Sequence, residues 1–296
     1  MNSLRIKTAI NFFDKNELIK RYYDDISDPD IVSLANIILT NLNDFNDLNK
    51  KNILRYMILQ KTFNTNQFGV NIILNDKIIL TSEIIHLLFI IYNDIQQIKN
   101  ITVFGISYKN NIEYFTKTIK LLDFFCDSEW FYGINSFVQS HKQQGELIHK
   151  TVNNWLSNTE YYLGMGGEMG YYCSKNINKF IDSVCITNSE SIYDDCNFNL
   201  IECYLVDYNN VKLQKFITSP DCLLINISKK GLTNLSNLRK QILSINFKQI
   251  IYIGCNKTNV NNDIGFLNNK YKIKQNNIIS IDNNQNRYLY NLVCNK

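Results

Sequence analysis

The sequence predicts an α/β protein: an open, largely parallel sheet over residues 131–296, preceded by a smaller α+β unit over residues 1–130. Two observations predict it. Beyond residue 131, short apolar runs (YYL, SVCIT, CLLIN, QIIYIG) alternate with stretches of helical spacing, the pattern of strand–helix–strand connections. Before that point, LRYMILQKT and FGVNIILND are β-branched runs parted by FNTNQ, which reads as a hairpin connection.

Taken in order, the apolar positions of 10–18 and of 31–42 are spaced as helices, the second with Ser27, Asp28 and Pro29 as its start. The hairpin over 54–80 follows, and SEIIHLLFIIYNDIQQI is helical with Ser82 as its cap. ITVFGISY is a strand, and NNIEYFTKTIKLLDFF suits a helix or a strand. In the larger unit, GELIHKTVNNWLS places Leu147, Val152, Trp155 and Leu156 on one helical face. The remaining strands lead to YKIKQNNIIS near the carboxyl end.

Composition excludes several classes. Eight cysteines occur without a single C-x-x-C pair, alongside only three histidines, so no metal site is expected. No secretory pattern opens the chain and no apolar run is long enough for a bilayer, so reduced thiols and a cytoplasmic location are expected, with no membrane partner. Charge is uneven: residues 211–296 hold 13 Lys or Arg against Asp221, Asp263 and Asp282. Such a basic segment suits an anionic partner, nucleic acid above all, and a solvated lysine-rich face accounts for the same counts.

In open α/β sheets ligands bind beyond the carboxyl ends of the strands, so chemistry is sought there. Gly164, Gly166 and Gly167 follow the YYL strand, where missing Cβ atoms let the backbone approach a ligand; an ordinary tight turn uses the same residues. Glu160, upstream, offers a carboxylate to a cofactor amine or is a plain surface charge. Asn226 ends CLLIN with an amide that donates and accepts, or caps locally, and Ser228, Lys229 and Lys230 follow with charge for a phosphate. Cys255 directly follows QIIYIG, at the edge where a thiolate can act as a nucleophile; isolated cysteines are also common as small buried hydrophobes.

Residues 51–296 resemble the RNA uridine-5-methyltransferase family. The resemblance lies in LRYMILQKTFNTNQFGVNIIL, in GINSFVQSHKQQGELIHKTVNNWL, in EYYLGMG, in NISKKGL and in GCNKTNVNND, in the family's order and spacing. It implies a Rossmann-like class I methyltransferase sheet and S-adenosylmethionine as cofactor. Gln139, Glu160, Gly164, Gly166 and Asn226 fall on the cofactor-binding positions, and Cys255 on the nucleophile. It further implies methylation of C5 of uridine in tRNA or ribosomal RNA. The Cys255 thiolate would add to C6 of the base, C5 would take the methyl group, and a base would remove the C5 proton before Cys255 leaves.

The chain departs from that pattern at defined places. Ile227, Ser228 and Lys229 stand where the family has Pro-Pro-Arg, and the ribose-binding acid falls near Thr187, with Glu190 out of register. No glutamate follows Glu202, Arg287 or a neighbour stands where the family has its base, and Asp282 is offset from that position. The family's small amino-terminal RNA-binding barrel has no counterpart in the sequence. Two readings follow: an RNA uridine methyltransferase, or a catalytically silent domain of the same fold that binds RNA or a protein partner.

Overall fold

Helical and extended patterns sort the chain into two compact units. The first comprises Met1–Phe124, Phe131–Asn135 and Gln139–Lys142, and the second Phe125–Trp130, Ser136–Val138 and Gln143–Lys296. The computed structural model describes all residues except 1–3, 15, 16, 20, 45–52, 100, 110, 218, 228, 229, 283, 284, 295 and 296.

The first unit starts with Lys7–Asn11 (β1), followed by the short ribbon of Phe13–Asp14 (β2) and Glu17–Leu18 (β3). Sequence spacing predicts a helix over 10–18, but among the described residues the strands β1, β2 and β3 stand there. Thr8, Ile10 and Phe12 are buried at every second position, the period of a strand. Pro29–Asp44 (α1) opens on a proline, whose missing N–H is no loss in a first turn, and Asp28 Oδ1 accepts from the N–H of Asp30 at 2.9 Å. Ile31, Leu34, Ala35, Ile38 and Leu39 bury one face of it.

Leu54–Lys61 (β4) and Phe68–Leu74 (β5) form the expected antiparallel pair. Ser82–Ile98 (α2) is capped by Thr81 rather than Ser82, with Thr81 Oγ1 accepting from the N–H of Ile84. It crosses over to Ile101–Tyr108 (β6), which lies parallel to β5. Asn111–Tyr114 (β7) completes a sheet of order β1-β4-β5-β6-β7, while Leu121–Phe125 (β8) and Ser128–Tyr132 (β9) form a separate ribbon. The ambiguous stretch before residue 126 therefore holds two strands, Asn111–Tyr114 and Leu121–Phe125, and no helix among its described residues.

In the second unit, Lys142–Trp155 (α3) buries Ile148, His149 and Val152, and Leu147 is half exposed, so the helix is rotated from the face that the sequence suggests. The fold then alternates: Tyr161–Gly166 (β10), Met169–Asn176 (α4), Asp182–Thr187 (β11), Glu190–Phe198 (α5), Cys203–Leu205 (β12), Cys222–Asn226 (β13), Ser236–Ser244 (α6), Gln249–Gly254 (β14), Lys257–Leu267 (α7), Tyr271–Asp282 (β15) and Gln285–Cys294 (β16). The sheet order is β12-β11-β10-β13-β14-β16-β15. The first five strands are parallel, and β16 runs antiparallel to both its neighbours. Residues 166, 187, 226 and 254 therefore end their strands at one edge.

Both faces of the central strands are covered. Leu163 and Met165 pack with Leu223, Ile225, Ile250 and the apolar residues of α6 and α7. On the other face Tyr162 stacks on Phe180 at 5.1 Å and donates to the carbonyl of Met169 at 3.0 Å. This two-sided burial is why the strands read as near-continuous apolar runs.

One buried carboxylate organises the stretch after β13. Asp263, fully buried on α7, accepts from the Tyr252 hydroxyl at 2.6 Å and from the N–H of Leu232 at 2.7 Å, both at Oδ2. Gly231 permits this approach. It has φ +60°, and a Cβ there would lie 2.2 Å from Asp263 Oδ2. Burial, and next the Asp263 charge, push the Tyr252 phenol well above its ordinary range, so it remains a donor. Tyr252→Phe removes one charge-assisted hydrogen bond and should destabilise by about 2 kcal/mol. Asp263→Ala strands both donors and should cost roughly 3–4 kcal/mol. Urea unfolding curves should place the variants in that order; equal losses would show that the tyrosine bond contributes everything.

Candidate functional site

The carboxyl edge of the large sheet holds a cavity of about 390 Å³. Its floor is made where β10 and β13 end. The N–H of Gly167 donates to the carbonyl of Asn226 at 2.7 Å, and Asn226 Nδ2 donates back to the carbonyl of Gly167 at 2.7 Å. Gly166 makes this reciprocal pair possible: its φ is +97°, and a Cβ would sit 2.1 Å from the Asn226 oxygen. Gly167 is overlain by Phe137, whose ring carbon Cδ1 lies 2.6 Å from where a Cβ would be.

The cavity's far wall comes from the turn after β11, where the N–H of Ser189 donates to Thr187 Oγ1 at 3.1 Å and Ser189 starts α5. Thr187, Asn188, Ser189 and Ile192 line it there. The opposite wall is Ile253, Gly254 and Cys255 at the end of β14, with Arg287 from the neighbouring β16. Cys255 is half-buried and stands just before Asn256, which caps α7 by accepting from the N–H of Asn259 at 3.0 Å. Among the described residues, Cys255 and Arg287 are the ionisable side chains of the lining, and no carboxylate lines it.

Of the residues that the sequence nominates, Gly166, Gly167, Asn226 and Cys255 line this cavity together. Three others stand elsewhere. Glu160 is exposed at the amino end of β10, its N–H donating to Asp221 Oδ2 at 2.8 Å. Six residues at about 3.3 Å each put it some 20 Å along the strand from Gly166, at the wrong edge for the cavity. Gly164 lies inside β10, paired with Cys185 and Leu224. A Cβ there would be 2.7 Å from Met169 Cβ, so this glycine serves helix–strand packing rather than a ligand. Gln139 is buried in the first unit, because residues 139–142 run beside Arg5 and Ile6: the N–H of Ile6 donates to the Ser140 carbonyl at 2.7 Å.

Ser228 and Lys229 lie outside the described residues, as does the side chain of Asp282, while Lys230 is exposed. Glu190 is exposed and does not line the cavity. Sequence reasoning missed Phe137 and the Asn188–Ile192 wall. Phe137 lies two residues from Gln139 in the same segment, and the wall follows directly from the rule that strand ends carry the site.

Asp221 has a structural part at the opposite edge. Its Oδ2 accepts from the N–H groups of Glu160 and Tyr161, and Lys248 Nζ lies 3.0 Å from Oδ1. Burial is the largest influence and raises its pKa, but those N–H groups and Lys248 together hold it below the ordinary carboxylate value. Its stabilising contribution is therefore complete above about pH 4 and lost as pH falls through the lowered folded value. Between pH 5 and pH 3 the wild type should lose more melting temperature than Asp221→Asn; parallel curves would remove Asp221 from the account.

No family model matches the sequence, and no curated protein matches it. Solved structures do. Pyrococcus abyssi tRNA (uracil-54, C5)-methyltransferase, in complex with S-adenosyl-L-homocysteine, is 17% identical with TM-score 0.70 over 98% of this chain and 76% of that one. Trm5b from Pyrococcus abyssi is 10% identical with TM-score 0.50, over 80% of this chain and 75% of that one. Among the described residues no helix is long and apolar enough to cross a membrane. With its reversed seventh strand beside the parallel five, this chain has the class I methyltransferase fold, arranged as in the tRNA (uracil-54, C5)-methyltransferase.

Proposed function

We propose that this chain binds S-adenosylmethionine in the cavity at the carboxyl edge and methylates C5 of a uridine in RNA. The observation that carries the reading is the meeting of Cys255 with the Gly166–Asn226 crossing in one cavity. The lining suits the cofactor. Gly166 and Gly167 leave backbone where side chains would project, and Asn226 Oδ1 accepts from no group among the described residues, leaving an acceptor for an ammonium group. Asn188, exposed on the wall, offers a side-chain amide to ribose hydroxyls in place of a carboxylate. The bound cofactor would supply an electrophilic methyl group.

The protein's own part is nucleophilic. Cys255 as thiolate forms a bond to C6 of the uracil, and the electron pair moves toward O4 and makes C5 nucleophilic. The Arg287 guanidinium is placed to favour the enolate charge. Once C5 is methylated, its proton must leave before the C6–S bond breaks, and among the described residues no carboxylate lines the cavity to receive it. Solvent base then takes the proton, so release is the slow step. The target uridine must leave its stack to reach Cys255.

S-adenosylhomocysteine should bind saturably in calorimetry, and Asn188→Arg, which fills the cavity from its rim, should weaken binding at least tenfold. With RNA and S-adenosylmethionine, a protein–RNA adduct that survives denaturing electrophoresis should accumulate, disappear in Cys255→Ala and decay faster as pH rises. A second reading is favoured by the missing carboxylate and by Arg287: a silent domain that binds RNA or a protein partner. Folded protein giving no saturable heat with S-adenosylhomocysteine would establish that reading and end the first.

A further inference from the structure

The amino edge of the same sheet carries two neighbouring hollows of about 560 and 470 Å³, which share Asn154 and Ser157 at the end of α3. They lie at the opposite ends of the strands from the cavity of Cys255, beside Thr159, Asp221 and Gln249, which precede or open β10, β13 and β14. We propose that this joined groove binds single-stranded RNA, phosphates to its lysines and bases to its amides and Trp155.

Charge is the first argument. Lys150, Lys175 and Lys179 border one hollow, and Lys248 and Lys274 the other. The one carboxylate in the lining, Asp221, already accepts from two backbone N–H groups and faces Lys248. Lys150 and Lys274 are exposed and make no hydrogen bond or ion pair among the described residues, so their charge is available to an anion.

The floor is the second. Gln249 Nε2 donates to the Trp155 carbonyl at 3.0 Å and to Asn291 Oδ1 at 2.9 Å, and Asn291 Nδ2 reaches Gln275 Oε1 at 3.4 Å. This chain of amides holds the base of the larger hollow in one arrangement. Above it, Asn154, Asn158 and Asn277 carry side-chain amides with no partner among the described residues, each able to donate and accept at once. Nucleobase edges present that same pairing of donor and acceptor. Trp155, half-buried among them, supplies a ring face for a base to stack on. An acidic peptide would use the lysines and leave the amides and the indole idle, so a polynucleotide is the occupant that engages the whole lining. The groove is independent of the cofactor cavity, and its test contains no methyl donor.

A fluorescein-labelled 12-nucleotide single-stranded RNA, titrated with the full chain and followed by anisotropy, is the probe. Lys150→Glu with Lys274→Glu should weaken binding tenfold or more and reduce the salt slope by about 1.4, as two lost phosphate contacts on a single strand require. Lys215→Glu with Lys240→Glu makes the same change in net charge on exposed residues outside the groove and should alter affinity less than about twofold. The chain's two tryptophans give a second readout, since Trp130 is buried. RNA should quench the native fluorescence and leave that of Trp155→Phe unchanged. Equal losses in the two charge-reversed proteins, no loss in either, or quenching that persists in Trp155→Phe would each overturn the assignment.

Discussion

The large unit depends on the double hydrogen bond between Gly167 and Asn226. Two adjacent parallel strands end there, and each end leaves backbone groups that the ladder no longer satisfies. The reciprocal pair satisfies one N–H and two carbonyls at once. It requires the chain to turn at Gly166 in a conformation that a side chain resists, against an oxygen that a Cβ would overlap. The cavity exists because β10 and β13 are pinned together at their tips while the turn after β11 and the end of β14 diverge around them. A carboxylate at residue 226 would lack the Nδ2 donor, so the amide is dictated by the backbone before any ligand is considered.

The same logic extends to the chain beyond Asn226. The segment from Ile227 to Leu232 lacks the prolines that would stiffen it, and its far end is fastened by the N–H of Leu232 to Asp263. Tyr252 donates to the same oxygen, so β14, α7 and this segment meet at one buried charge. Gly231 stands at the junction because no other residue leaves room for the carboxylate. The far end of the segment after β13 is thus held by a buried electrostatic anchor.

Much of this was legible in the sequence. Continuous apolar runs announce a sheet buried on both faces, and the order of strands and helices announces a parallel one. The strand ends nominate Gly166, Asn226 and Cys255, and these three line one cavity. Where the structure places residues elsewhere, the reasons are physical. Glu160 and Gly164 are close to Gly166 in sequence, but a strand converts each residue of separation into about 3.3 Å, so nearness along the chain is distance across the sheet. Over 10–18, apolar content suggested a helix, whereas the alternation of Thr8, Ile10 and Phe12 decides for a strand. Gln139 was assigned from a local segment, and its position is set by a pairing with Arg5 and Ile6 more than 130 residues away, which no local pattern contains.

The two edges of the sheet also differ in a way that constrains function. At the carboxyl edge the strand tips carry an apolar-walled cavity with a thiol, a guanidinium and neutral amides. At the amino edge the same strands begin among lysines, asparagines and glutamines, with the Asp221 carboxylate of the groove lining committed to the backbone of Glu160 and Tyr161. A basic surface concentrated in residues 211–296 has therefore been divided by the topology: Arg287 goes to the cavity, and Lys248 and Lys274 go to the opposite groove. Basic side chains therefore stand at both edges, beside a walled cavity at one and a length of polar surface at the other. Because the first five strands run in parallel, their beginnings lie on one side and their ends on the other, and the reversed β16 carries Arg287 to the cavity and Asn291 to the groove.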